Sequence, residues 1–262
     1  MCTVSFVPKP SGFYLAMNRD EKRHRFAALP PEIVELENHR VLFPCEPTGG
    51  TWISANDAGV CLALINWHRI EREPNNDVLS RGLVIRELAG KCTADEIVAA
   101  LRKLPLRKFR PFRLIAIFPA RTRITEWRWN LERLNKRDHK WQRQHWFSSG
   151  FDERTAERVR AKICASFVAG GDAPGRREPS RRGRTAGVSA AGYGLSWLRK
   201  LHRSHTPKRG PFSICMHRTD ASTVSYTEVA VSKQRATMRY KSGPSCSNGA
   251  NVTRTISLVF SL

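Results

Sequence analysis

The chain has 262 residues, 40% of them hydrophobic, enough to build one sizeable core, and its 45 Lys/Arg against 23 Asp/Glu make it strongly basic. The start, Met-Cys-Thr-Val-Ser-Phe-Val before Pro8 and Pro10, has neither a basic leader nor a long apolar stretch, so no signal peptide is expected. No apolar run approaches the roughly 20 residues of a spanning helix. Seven scattered cysteines without a C-x-x-C pair argue against a disulfide framework or zinc ribbon, and a soluble, cytoplasmic protein is expected.

Taken in chain order, the first 26 residues predict a hairpin. Cys2, Val4 and Phe6 alternate with Thr3 and Ser5, Pro8 to Gly12 form a turn cluster, and Phe13 to Met17 return as a second strand. A turn centred on residue 10 sets Cys2 opposite Asn18 within a residue or two. A second hairpin is expected over Thr51 to Trp67, turning at Asp57-Ala58-Gly59. Helical spacing follows over 77–90 and 94–104, with Thr93 and Glu96 patterned as a capping box. Arg113 to Phe118 reads as a buried strand, with Ile124 to Trp129 beside it, and Glu153 to Phe167 as a helix. The Gly-, Pro- and Arg-rich stretch at 169–191 reads as a flexible insertion within a single 1–262 domain. Leu195 to His202 is a short helix, and strands are expected at 212–217, 223–232, 236–240 and 256–262.

Residues 101–210 hold 28 Lys/Arg against 8 Asp/Glu, so most of the positive excess sits there. Non-specific contact with polyanions is the expected consequence, through counterion release. No nucleic-acid-binding motif accompanies it, and an Arg-rich solvated face accounts for the same composition.

Cys2 carries the most chemistry. Removal of Met before a small side chain would leave cysteine with a free α-amine of reference pKa about 7.7–8.0 beside a thiol of about 8.5, so base and nucleophile would share one residue. Asn18, Arg19 and Asp20 arrive where the second strand passes the first, although Asn and Asp are also ordinary turn residues. His202 and His205, at helical spacing, read as a surface pair without acidic or cysteine partners nearby. Cys215 and His217 would share one strand face, as a dyad or as plain packing. No metal or other cofactor is implied.

Asn18-Arg19-Asp20-Glu21 behind Met-Cys, the segment Gly49-Gly50-Thr51-Trp52 through Asn56 and Gly59, Leu64-Ile65-Asn66-Trp67, Cys215-Met216-His217 and Thr223 to Thr227 together resemble the NRDE family, also called the Transport and Golgi organisation 2 family. That family in turn resembles the cysteine-headed N-terminal-nucleophile (Ntn) hydrolases of bile-salt and penicillin amides. The resemblance implies an α+β fold, a four-layer αββα sandwich of mainly antiparallel sheets. It implies Cys2 as nucleophile, Asp20 as partner of its amine and Asn66 as oxyanion donor, with Asn18 and Arg19 in the same constellation. Where the hydrolases carry a second Asn, this chain reads Trp146-Phe147-Ser148-Ser149-Gly150, so a serine hydroxyl, Ser149, would take that place with a shorter reach. The implied activity is hydrolysis of a small non-peptide amide through a Cys2 thioester. The alternative is a non-catalytic pocket for an apolar ligand, lipid or cofactor.

Overall fold

The computed structural model describes residues 2–74, 77–167 and 193–259. The 169–191 insertion and the chain's last three residues lie outside them. The N-terminal hairpin forms as β1 (Cys2–Lys9) and β2 (Gly12–Lys22). Its turn is tight because Gly12 takes φ +117° and lies against the Val231 carbonyl, where a Cβ would come within 2.0 Å of the oxygen.

β3 (Leu29–Leu36), β4 (His39–Cys45), β5 (Ile53–Asn56) and β6 (Cys61–Asn66) follow. Then come α1 (Gly82–Leu88) and α2 (Ala94–Lys103), the latter begun by the expected Thr93/Glu96 capping box. β7 (Phe112–Phe118), β8 (Arg123–Trp129), β9 (Leu134–His139) and β10 (Gln144–Ser148) lead to α3 (Glu153–Ser166) and α4 (Leu195–His202). β11 (Ala221–Val231), β12 (Arg235–Ser242) and β13 (Asn251–Ser257) close the described chain. The strand expected at 212–217 does not form. Ser213 Oγ donates to the Cys215 carbonyl at 2.6 Å and the Cys215 N–H goes to Ser204 at 3.0 Å, so local bonds take the groups a ladder would need.

Two antiparallel sheets result, ordered β10-β1-β2-β11-β12-β13 and β3-β4-β5-β6-β7-β8-β9. Strand alternation gives each sheet two apolar faces. Val4, Phe6, Phe13, Leu15 and Met17 of the first meet Ile53, Ala63, Ile65, Ile115 and Ile117 of the second in a central core. The outer face of the second sheet, with Leu62, Leu114 and Trp127, is covered by Val84, Ile85 and Leu88 of α1 and Ile97 and Leu101 of α2. The outer face of the first, with Ala16, Phe147 and Tyr226, is covered by Ile163 of α3 and Leu198 and Leu201 of α4. The layers are therefore α-β-β-α, as the resemblance implied. Truncating Phe6 or Phe13 to Ala, both fully buried, would cost about 3–5 kcal/mol. Among the described residues no helix is long and apolar enough to cross a membrane.

Candidate active site

Cys2 opens β1, between β10 on one side and β2 on the other, and is paired with Ser148 and Arg19. The hairpin register thus falls within the expected residue or two of Asn18, shifted by one because its turn lies between residues 10 and 11. A one-residue slip exchanges faces. Arg19, not Asn18, shares the inner face with the Cys2 thiol, and Asn18 and Asp20 point to the helical side.

On the inner face the thiol borders a pocket of about 310 Å³, lined among others by Arg19, Trp52, Leu64, Asn66 and Arg81. The Arg19 guanidinium stacks over Trp52 at 4.3 Å and pairs with Glu46, which also accepts from Arg25 at 2.9 Å. The wall beyond depends on glycines: a Cβ on Gly82 would come within 2.8 Å of the Thr51 nitrogen, and Thr51 N–H donates to the Gly82 carbonyl at 3.1 Å. This close approach seats Ser80, Arg81 and the first turn of α1 at the pocket. Asn56 in the same sequence block is structural. Its Nδ2 donates to the Ala89 and Lys91 carbonyls while its Oδ1 accepts from the Ala58 and Val60 amides, which closes the β5–β6 turn under the end of α1.

On the outer face Asn18 donates to the carbonyls of His202 and Ile214 at 2.8 and 2.9 Å. It is a fastener for α4 and is not aimed at the thiol, which corrects its expected place in the constellation. Asp20 accepts from Thr223 Oγ1 at 2.7 Å and pairs with Arg160 at 3.5 Å, with both side chains fully buried. Arg160 also donates to Thr3 Oγ1 at 3.1 Å, the Pro211 carbonyl at 3.3 Å and the Cys2 carbonyl at 3.5 Å. Burial raises the Asp20 carboxyl above its usual range against the opposing pull of Arg160. Burial also pushes the Cys2 thiol up, helped by the Asp20 charge and opposed by a hydrogen bond from the Asp20 backbone amide.

Asn66, the last residue of β6, lines the same pocket as Cys2. Its strand end is pinned from α3: Glu153 accepts the His68 and Arg69 amides at 3.4 and 2.8 Å. Of the two serines at the end of β10, Ser148 is in register with Cys2 and faces the pocket side, and its buried hydroxyl has no hydrogen-bond partner among the described residues. Ser149, expected as the donor, is one residue further along and accepts from the Phe151 amide at 3.3 Å. Arg81 gives one N–H to the Pro111 carbonyl at 3.1 Å and has no carboxylate within ion-pair distance among the described residues; burial lowers its pKa to about 10. His202, read as half of a surface pair, is fully buried against Ser5 Oγ at 2.9 Å because α4 lies flat on the sheet.

The family model of Transport and Golgi organisation 2 matches residues 1–163. The chain belongs to this family. No curated protein matches it in sequence. Among solved structures, it is similar to the C2A mutant of conjugated bile acid hydrolase from Clostridium perfringens, at TM-score 0.52 and 10% identity over 99% of this chain and 97% of that one. Penicillin V acylase from Agrobacterium tumefaciens gives TM-score 0.48 and 12% identity over 92% and 83% of the two chains. The first of these likenesses is to an Ntn-hydrolase fold, in agreement with the layers described above.

Within this member of the Transport and Golgi organisation 2 family, the residues that sequence reasoning missed are Arg160, Thr223, Glu46, Arg81 and Ser148. Arg160 left one trace. It sits four residues after Ala156 and three before Ile163, on the apolar stripe of α3, where an unpartnered cation would be costly. Glu46 lies in a loop with no periodic signal, and Arg81 lies within the expected 77–90 helix but caps the shorter α1, which begins at Gly82.

Proposed function

We propose that the chain is an N-terminal cysteine amidohydrolase acting on small non-peptide amides through a Cys2 thioester. The observation that carries this reading is the position of Cys2: in the N-terminal hairpin, lining a 310 Å³ pocket that Asn66 also lines, with Ser148 in register beside it. After loss of Met1, the α-amine takes the thiol proton as sulfur adds to the amide carbonyl. Asn66 and Ser148 donate to the oxyanion, and the proton passes to the leaving amine as the C–N bond breaks. Water, deprotonated by the same amine, then cleaves the thioester. Arg160 holds the Cys2 carbonyl and Asp20 together from behind, and so acts as a positioning residue.

Arg81 suits an amide that carries a carboxylate or another anionic group, since a guanidinium with no ion-paired carboxylate among the described residues gains most from one. Seven free cysteines suit work in the reducing cytoplasm. The test is turnover of a panel of N-acyl amino acids and neutral amides by wild type and Cys2→Ala. Release of amine by wild type alone, faster for the anionic amides, is expected. Equal release by both proteins overturns the reading.

The raised thiol pKa, and a serine where the hydrolases carry asparagine, favour a second reading in which the pocket binds an acyl ligand without turnover. Saturable binding that survives Cys2→Ala, with no amine released from any amide, would select it.

A further inference from the structure

Four side chains on the far side of α4 converge on one point. His205 lies just past α4, Cys215 and His217 lie in the irregular segment before β11, and Cys246 lies in the loop between β12 and β13. His217 Nε2 is 3.2 Å from His205 Nε2 and 3.5 Å from both Cys215 Sγ and Cys246 Sγ. All four potential ligand atoms lie within 4.8 Å of one another.

Hydrogen bonding does not account for this arrangement. A neutral imidazole Nε2 offers one in-plane lone pair, which satisfies one donor, yet three partners crowd this one. A tetrahedral ion does account for it. Zinc bonds of about 2.3 Å to sulfur and about 2.0–2.1 Å to nitrogen imply ligand–ligand edges of about 3.4 Å for N–N and about 3.5 Å for N–S. The three edges at His217 Nε2, 3.2, 3.5 and 3.5 Å, match these lengths, and the remaining ones lie within 4.8 Å. Two soft thiolates with two imidazoles is a donor set that selects Zn²⁺ over hard cations. One contact must change: the exposed Arg209 guanidinium is 3.3 Å from His217 Nδ1, which carries the proton once Nε2 is bound, so Arg209 turns away.

We propose that His205, Cys215, His217 and Cys246 form a Cys2His2 structural zinc site. All four positions are filled by protein, which leaves no open coordination for catalysis. The ion staples three chain segments, adding to the bonds from the Cys215 amide to the Ser204 carbonyl and from Ser245 Oγ to the His202 carbonyl. The Cys246 loop is already shaped for it by Gly243 at φ +87° and by Lys241 Nζ, which donates to the Ser245 carbonyl at 3.3 Å. The stapled segment is the one whose Pro211 and Ile214 carbonyls accept from Arg160 and Asn18, so the zinc fixes the outer support of the Cys2 hairpin. The site stands whether or not Cys2 is catalytic.

The test is metal analysis of the full chain purified without chelator. We expect about one zinc per chain, displacement by Co²⁺ with the visible bands of a tetrahedral site and thiolate-to-cobalt charge transfer, and loss of most of the metal in Cys246→Ser and His217→Ala. Cys164→Ser, whose thiol lies in the core under α3, should keep its full complement. Metal well below one equivalent after zinc-replete growth, together with no thiolate–cobalt bands in the wild-type protein, overturns the site. So does stoichiometric zinc retained by the Cys215→Ser/Cys246→Ser double variant. The cobalt spectrum of wild type decides the matter even where a variant fails to fold.

Discussion

The two faces of the β1–β2 hairpin are built for different tasks, although consecutive residues of one tetrapeptide supply both. The inner face presents Cys2 and Arg19 to a pocket with polar walls, where the Arg19 guanidinium is held by stacking on Trp52 and by ion pairs to Glu46 and Glu21. The outer face presents Asn18 and Asp20 to a buried network in which Thr223, Arg160 and the backbone of α4 and the 211–217 segment are bonded together. In a strand, adjacent residues in a family motif therefore have opposite addresses. Two members of the motif stabilise the frame, and the other two, Arg19 and Glu21, line the pocket.

This division can be broken experimentally. Replacing Cys2 by Ala should abolish covalent labelling by an electrophilic amide and leave thermal unfolding near that of wild type; labelling that persists would move the nucleophile elsewhere. Arg160→Met should act through stability, costing about 3–5 kcal/mol in denaturant unfolding, because the Asp20 carboxylate would be left buried without its cation. Asn66→Ala should do the reverse. A fall in acylation rate on the order of 10²–10³ is expected from loss of one oxyanion donor, with little change in stability. Asn18→Ala should cost about 1–3 kcal/mol by orphaning the buried Ile214 carbonyl and leaving the His202 carbonyl to Ser245 alone, with the acylation rate per folded molecule unchanged.

A further effect is one of pH. His145 and His202 flank Ser5 on the outer face, and burial lowers both from about 6.5 to about 3. The fold holds them neutral while the unfolded chain takes up protons, so stability is complete above pH 6.5 and declines as the pH falls towards 3. The slope is at most about 1.4 kcal/mol per pH unit for each histidine. Chemical denaturation from pH 7 to pH 4 measures it, and a flat profile would remove these rings from the core.

Much of this was legible in the chain. The Thr93/Glu96 box and the apolar spacing of Leu195–His202 set helix starts and ends by local chemistry, and Cys2 with Asn18 to Glu21 marked the family. The register was not legible to one residue, because the tightness of the turn is decided by Gly12 against Val231, more than 200 residues away in sequence. β3 and β9 escaped notice since Pro30, Pro31 and the exposed charges of 134–139 give no apolar alternation at sheet edges. Arg160 was visible only as a cation on an apolar stripe. Three of the four proposed zinc ligands, His205, Cys215 and His217, stood out in the sequence, but Cys246 joins them only through the fold, so spacing alone carried no signature.

The central claim is that Cys2 is the chain's free terminus and forms a thioester. Intact-mass and fragment analysis of the purified protein, before and after brief exposure to an activated N-acyl amide, tests it directly. The account predicts loss of Met1 and an acyl mass on Cys2 that hydroxylamine removes. A retained Met1, or an adduct confined to another cysteine, would contradict it.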